Sequence, residues 1–147
     1  MKVVIQRCQN ASVSIDGKVF NHIDKGFTVL VGFTQDDTSY DIDYIVKKII
    51  NLRVFDDENG IMNKSILDEG GSVLSISQFT LYADTKKGNR PSYFKALNGS
   101  ESIKLYEEFN NKLGQYIKVL PGIFGADMKV SLVNDGPVTI IIDSKEK

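Results

Sequence analysis

The sequence predicts a single α+β domain over residues 1–147, made of antiparallel β-sheets in a barrel-like arrangement with two main amphipathic helices. Strand-length apolar runs separated by turns occur near both ends of the chain, and two segments repeat apolar residues with a helical period. No repeat, low-complexity tract or linker-like stretch divides the chain, and 147 residues suffice to bury one sizeable core.

A β-hairpin is predicted at the start of the chain. Residues 2–8 contain an apolar run typical of a strand, and residues 11–15 alternate apolar and polar side chains with period two. Asp16-Gly17 follows at once, a dipeptide that favours a two-residue turn with positive φ. Residues 18–20 are then the returning strand.

The remaining strands are predicted from similar runs. A turn at Asp24-Lys25-Gly26 precedes a nearly continuous apolar run that is typical of a strand covered on both faces. A second turn at Asn134-Asp135-Gly136-Pro137 is expected to separate the last two strands. The predicted strands are residues 27–33, 73–76, 128–133 and 138–142.

Two helices are predicted from apolar periodicity. Thr38 and Asp41 have the spacing of an N-cap with an acidic residue in the first turn. An apolar face with spacing i, i+3, i+4, i+7, i+8 follows, formed by Ile42, Ile45, Val46, Ile49 and Ile50. A second helix is predicted from about Ser100 to Tyr116, with one stripe made of Tyr106, Phe109, Leu113 and Tyr116.

Composition excludes several functional classes. With 18 basic and 19 acidic residues the net charge is −1, which argues against a broad electrostatic surface for nucleic acid but permits a small one. No apolar run approaches the length of a membrane span, and the N-terminus lacks a signal-peptide pattern. The single Cys8 fits a reducing compartment, so we expect a cytoplasmic protein without membrane contact.

The segment from Ser77 to Tyr93 is the candidate site. The apolar run 73–76 leads into Ser77-Gln78-Phe79-Thr80, and a short basic loop with Lys86, Lys87 and Arg90 follows. A strand presents polar groups with fixed geometry, and a cationic loop can hold phosphate. An ordinary strand end with a solvated loop is the alternative interpretation of this segment.

The chain lacks the usual catalytic groups. His22 is the only histidine and Cys8 the only cysteine, so a zinc site or a Ser-His-Asp triad is improbable. No glycine-rich phosphate loop occurs either. If the protein is an enzyme, we expect no metal and no cofactor, with catalysis by orientation and by backbone N–H groups at an oxyanion. Thr80 or Ser77 could be a nucleophile, but neither has a visible activating base.

Several motifs together resemble the D-aminoacyl-tRNA deacylase family. The resemblance covers essentially the whole chain and includes its opening, residues 1–14. The motifs that carry it are Ser77-Gln78-Phe79-Thr80-Leu81, Lys86-Lys87-Gly88-Asn89-Arg90-Pro91-Ser92, Phe124-Gly125-Ala126-Asp127-Met128 and Asn134-Asp135-Gly136-Pro137-Val138-Thr139.

The resemblance implies a cytoplasmic homodimer that hydrolyses the ester between a D-amino acid, or glycine, and the 3′-terminal adenosine of tRNA. It implies that residues 77–80 line the pocket. It also implies that Gly136-Pro137 has a cis bond and inserts into the partner subunit's pocket, where its carbonyl groups exclude L side chains. Arg7 is implied to hold that motif in place.

The implied reaction agrees with the missing catalytic groups, because the ribose 2′-hydroxyl beside the ester can supply the proton chemistry. The N–H groups of Phe79 and Thr80 would form the oxyanion hole, and Lys86, Lys87 and Arg90 would contact a few tRNA phosphates. Two alternatives remain open: a nucleic-acid-binding module without catalysis, and a small-ester hydrolase that uses Ser77 or Thr80.

Overall fold

The computed structural model describes residues 1–147 as a single α+β domain, as the sequence predicts. The strands are β1 (Lys2–Ile15), β2 (Lys18–Gly32), β3 (Phe55–Asp56), β4 (Met62–Lys64), β5 (Ser72–Ser77), β6 (Lys118–Pro121) and β7 (Lys129–Asp143). The helices are α1 (Ser39–Asn51), α2 (Ile66–Glu69), α3 (Gly99–Gly114) and a 3₁₀-helix (Phe79–Tyr82). None of the helices is long and apolar enough to cross a membrane.

Five strands form one open sheet in the order β6-β5-β2-β1-β7. The pairs β1–β2 and β1–β7 are antiparallel, whereas β5 runs parallel to both β2 and β6. The two antiparallel ladders are longer than the two parallel ones, so the sheet is mostly antiparallel, as predicted. It is not closed into a barrel, since β6 and β7 are its two edges. The strands β3 and β4 form a separate small hairpin.

The predicted hairpin is confirmed at Asp16-Gly17, where φ is 51° and 77°. The predicted turn at Asp24-Lys25-Gly26 is wrong, because β2 continues through these residues without a break. At this point Gly26 pairs with Cys8 of β1 on one side and with Ser72 of β5 on the other. Gly26 has a φ of 149°, which glycine adopts without a steric penalty.

The first predicted helix is confirmed. Thr38 is the N-cap of α1, and it forms a capping box in which the Asp41 carboxylate accepts a hydrogen bond from the Thr38 N–H at 2.9 Å. The whole predicted apolar face is buried against the sheet: Ile42, Ile45, Val46, Ile49 and Ile50. This burial supplies most of the stability that holds α1 on the sheet.

The second predicted helix is also present, but its end was placed too late. The helix α3 begins after the N-cap Asn98 and ends at Gly114, so Tyr116 lies beyond it and is 56% exposed. The other residues of the predicted stripe, Tyr106, Phe109 and Leu113, are buried in the same core as α1. Together α1 and α3 cover one face of the sheet.

The predicted turn at residues 134–137 is wrong as well, because β7 is one strand from Lys129 to Asp143. Its pairing with β1 changes register here: Gln6 pairs with Thr139, whereas Cys8 pairs with Asn134. The extra residues form a bulge in the edge strand that contains the cis peptide bond Gly136-Pro137. Residues 134–137, which the sequence predicted as a turn, therefore form a bulge that projects from the edge of the sheet.

We expect Gly26→Ala to destabilise the fold strongly. A Cβ atom at this position would lie 1.8 Å from the Ser72 carbonyl oxygen, so β2 and β5 would have to separate. The expected loss of unfolding free energy is at least about 1–3 kcal/mol. Chemical denaturation of purified wild-type and variant protein measures it.

The matched control is Gly17→Ala, which also introduces a side chain at positive φ but into open space. Its loss should be smaller, on the order of 1 kcal/mol, because only the backbone preference is violated. Equal losses in the two variants would contradict the importance of the close approach between β2 and β5.

Candidate active site

The end of β5 opens into a cavity. Ser77 is the last residue of β5 and pairs with Val31 of β2, and the Gln78 N–H donates a 2.7 Å hydrogen bond to the Val31 carbonyl. The chain then turns into the 3₁₀-helix at Phe79 instead of continuing as a strand. The cavity has a volume of about 610 Å³, within the usual range for small-molecule sites.

Three predicted site residues, Ser77, Gln78 and Phe79, line this cavity. Opposite them lie the start of α3 and the predicted apolar loop around Phe124. The Phe79 ring contacts the Tyr93 ring edge-on, with centroids 5.0 Å apart, so these two aromatic side chains form part of the cavity rim. The sequence therefore predicted one wall of the cavity and the loop that faces it.

The polar groups at this wall have a simple arrangement. The N–H groups of Phe79 and Thr80 are the first of the 3₁₀-helix, so they have no partner within the helix, and the N-cap Gln78 makes no side-chain cap. The Gln78 side-chain amide instead donates to the Thr80 hydroxyl oxygen. Thr80 itself does not line the cavity, and no carboxylate or imidazole is hydrogen-bonded to Ser77 or Thr80.

Gly32, at the end of β2, is a site residue that the sequence interpretation missed. It lines the cavity, and a Cβ atom there would lie 2.8 Å from the Gln78 carbonyl oxygen and 3.2 Å from the Leu81 Cβ. The absence of a side chain lets the 3₁₀-helix approach the strand closely. A glycine inside a long apolar strand is the sequence feature that could have revealed this close approach.

Arg7 connects β1 to the bulge of β7. Its side chain is almost fully buried, and Nε donates to the Asp135 carbonyl at 3.1 Å while Nη1 donates to the Val54 carbonyl at 2.6 Å. The carboxylates of Asp56 and Asp135 are each 3.8 Å from the guanidinium. The guanidinium thus bridges three segments, and it supports the residue that precedes Gly136.

Gly136 and Pro137 lie outside the cavity of their own chain and are exposed on the edge strand β7. A Cβ atom at Gly136 would lie 2.9 Å from Arg7 Nη2 and 2.9 Å from Val138 Cγ2, so only glycine fits against the arginine. Within one chain, therefore, the structure does not bring the Gly136-Pro137 motif to residues 77–79.

The predicted cationic residues Lys86, Lys87 and Arg90 lie in an exposed loop that precedes the rim residue Tyr93 in the chain. The loop is closed at its base by two backbone hydrogen bonds between Asp84 and Ser92, at 2.8 and 2.9 Å. The Lys86 N–H donates to the Asp84 carboxylate and lowers its pKa. None of the three cations forms an ion pair, so their charges are available to a ligand.

His22 and Cys8, which a histidine-based or a cysteine-based mechanism would need, do not line the cavity. His22 is exposed on β2, 3.6 Å from Asp24, and does not line the cavity. Cys8 is buried beside Thr28, and burial raises the pKa of its thiol, which is typical of an unreactive cysteine. No group of three or more His, Cys, Asp or Glu side chains is arranged to hold a metal ion.

The fold and cavity define a single-domain α+β protein with an open mixed sheet and a site at the end of a parallel strand. Residues 4–143 match the family described as D-Tyr-tRNA(Tyr) deacylase. Two curated relatives named D-aminoacyl-tRNA deacylase, from Bacteroides fragilis strains NCTC 9343 and YCH46, are 60% and 59% identical and cover 100% of this chain and 99% of their own lengths. The chain belongs to the D-Tyr-tRNA(Tyr) deacylase family, which confirms the sequence-based assignment.

Two solved structures share this fold. The structure described as c-Myc DNA Unwinding Element Binding Protein is 39% identical, with a TM-score of 0.92 over 97% of this chain and 98% of that chain. A second, described as a probable eukaryotic D-amino acid tRNA deacylase, has a TM-score of 0.80 over 96% of this chain and 97% of that chain. Its sequence identity of 16% makes it a match of fold alone.

We expect Arg7→Lys to destabilise the protein and to loosen the bulge. A lysine ammonium cannot reproduce the two directed bonds to Val54 and Asp135, so one buried carbonyl loses its donor. The expected loss of unfolding free energy is about 1–3 kcal/mol. Denaturation measures the loss, and amide hydrogen exchange should become faster in residues 133–138.

The same substitution at an exposed arginine is the control. Arg53 donates a single 3.1 Å bond to the Asn63 carbonyl, so Arg53→Lys should change stability by no more than about 0.5 kcal/mol. Unchanged exchange around Gly136 in Arg7→Lys would argue against support of the bulge by Arg7.

Proposed function

We propose that this protein is a D-aminoacyl-tRNA deacylase, which hydrolyses the ester between a D-amino acid or glycine and the 3′-terminal adenosine of tRNA. The products are free amino acid and tRNA, so the enzyme serves chiral proofreading in translation, in the cytoplasm. The observation that carries this proposal is the uncapped pair of N–H groups at Phe79 and Thr80, beside a cavity of about 610 Å³ in a chain of this family. That volume is sufficient for an aminoacyl group with adenosine.

The proposed mechanism uses backbone donors and the substrate's own hydroxyl. The ester carbonyl oxygen points toward the N–H groups of Phe79 and Thr80, which stabilise the negative charge of the tetrahedral intermediate. Water attacks the carbonyl carbon and gives up a proton by way of the ribose 2′-hydroxyl. The tetrahedral intermediate then breaks its bond to the ribose O3′, which takes up the proton and leaves as the 3′-hydroxyl of tRNA. The Thr80 hydroxyl accepts a hydrogen bond from Gln78 and has no base as partner, which favours a structural role over a nucleophilic one.

Chiral selection is proposed to depend on a homodimer. Gly136 and Pro137 are exposed, lie outside the cavity of their own chain and are supported from behind by Arg7, which suits insertion into a partner's cavity. The β7 edge also exposes Val133 (58%) and Ile141 (66%), apolar side chains that a partner subunit would cover. The Gly136-Pro137 carbonyl groups would then exclude an L side chain by steric and electrostatic repulsion.

Contact with tRNA beyond the terminal nucleotide is proposed for Lys86, Lys87 and Arg90. Three unpaired cations on one loop suit a few backbone phosphates. The net charge of −1 suits an enzyme that holds only the end of its tRNA and releases it quickly.

A second candidate function is nucleic-acid binding without hydrolysis. The observation that favours it is the 39% identity to a protein described as binding a DNA unwinding element. The same basic loop would serve that function. It predicts binding without turnover, so the assay of hydrolysis separates the two proposals.

The first test compares D-Tyr-tRNA with L-Tyr-tRNA, each incubated with the purified protein in the presence of a chelator. We expect the D ester to be cleaved and the L ester to be cleaved at least roughly 10²-fold more slowly, because the L side chain would meet the Gly136-Pro137 carbonyl groups. Loss of the ester over time is the measurement. Survival of both esters would reject the deacylase proposal, and cleavage of both would reject only the account of selectivity.

The second test separates the two mechanisms. We expect Thr80→Val to retain kcat within about tenfold, because the backbone N–H that binds the oxyanion is unchanged. A tRNA ending in 2′-deoxyadenosine should be cleaved roughly 10²-fold or more slowly by the wild type, because it lacks the assisting hydroxyl. If the Thr80 hydroxyl were the nucleophile, Thr80→Val would lower kcat by roughly 10⁴-fold or more and the deoxy substrate would react normally.

A further inference from the structure

Phe94 is an exposed aromatic residue at the rim of the candidate active site. Its side chain is 79% exposed, whereas its neighbour Tyr93 and the nearby Ala96 both line the cavity. The Tyr93 ring packs on Phe79 within the rim, but the Phe94 ring has no aromatic or cationic partner. A flat apolar ring is therefore open to solvent, one residue along the chain from the cavity rim.

The backbone that carries Phe94 is held in place. The Phe94 carbonyl accepts a hydrogen bond from the Gln35 side chain at 3.3 Å, and the Lys95 carbonyl accepts one from the Thr34 hydroxyl at 2.6 Å. The Leu97 N–H donates to the Phe33 carbonyl at 2.9 Å. Contacts with the chain that follows β2 thus fix the backbone from which the Phe94 ring extends.

The surroundings of Phe94 favour single-stranded nucleic acid as its ligand. The loop with the unpaired cations Lys86, Lys87 and Arg90 leads directly into this segment. Exposed aromatic rings combined with cations are the recurring features of sites that bind single strands, because every base can stack on a ring while the phosphates meet the cations. The neighbouring cavity, which has room for an aminoacyl nucleoside, favours nucleic acid over a peptide or a lipid surface at this position.

We propose that Phe94 is a positioning residue that stacks on the nucleobase preceding the terminal adenosine of tRNA. The inference rests on the proposed function. Since the cavity has room for the aminoacyl adenosine, the preceding nucleotide must lie outside it, at the rim. There its base lies on the Phe94 ring, and its phosphates lie toward Lys86, Lys87 and Arg90.

The test compares two substrates that share the reacting ester. One is full-length D-Tyr-tRNA, and the other is 3′-O-D-tyrosyl-adenosine, which has no preceding nucleotide. We expect Phe94→Ala to raise KM for the tRNA by roughly 5- to 150-fold with kcat unchanged, which is the range for loss of one base–aromatic stack. Both constants for the adenosine ester should stay at their wild-type values. Phe94→Trp, which keeps a flat ring, should restore the KM for tRNA.

Tyr40→Ala is the matched control, because Tyr40 is similarly exposed (83%) but lies on α1 and does not line the cavity. It should change neither substrate's KM. An unchanged KM for tRNA in Phe94→Ala, or an equal rise for both substrates, would overturn the stacking proposal while leaving the deacylase function intact. A wild-type protein that cleaves neither substrate would overturn the proposed function and the inference that rests on it.

Discussion

The parallel pairing of β5 with β2 is the constraint on which the rest of the site depends. It brings Gly26 against Ser72 at one end and Val31 against Ser77 at the other. Because β5 ends where β2 ends, the chain must turn there, and it turns into a 3₁₀-helix whose first N–H groups lack partners. The close approach at Gly32 holds this turn against the sheet, and the one at Gly26 holds the opposite end of β5 against β2. The polar groups of the cavity are thus positioned by backbone pairing, not by a network of catalytic side chains.

The two candidate site motifs lie in different parts of the sheet. Residues 77–79 lie at the end of an inner strand and line a cavity, whereas Gly136-Pro137 projects from the edge strand β7. An inner strand is rigid because both of its neighbours pair with it, but an edge strand can carry a bulge and still keep its pairing with β1. Arg7 gives the bulge the support that a second neighbouring strand would otherwise provide.

The elements that follow from local patterns were predictable. The capped helix α1, with its buried face from Ile42 to Ile50, and the Asp16-Gly17 turn depend on residues close together in sequence. The predicted turns at 24–26 and 134–137 failed because glycine and proline also occur in continuous strands, where a close approach or a bulge requires them. Arg7 entered the sequence analysis only through the family resemblance. Its hydrogen-bond partners Val54 and Asp135 are far from it in the sequence, so no local pattern reveals them.

The amino-acid sequence by itself determined the helices α1 and α3, most residues of the long strands, the family and three residues of the cavity wall, but it did not reveal α2, the 3₁₀-helix or the short strands β3, β4 and β6. The tertiary structure alone decided that the sheet is open and partly parallel, that the Thr80 side chain does not line the cavity, and that Gly136-Pro137 stays outside the cavity of its own chain. Periodicity reports which side of an element is buried, because burial depends on neighbours three or four residues away in a helix and two in a strand. Strand order and direction depend on pairings between residues far apart, which leave no local trace.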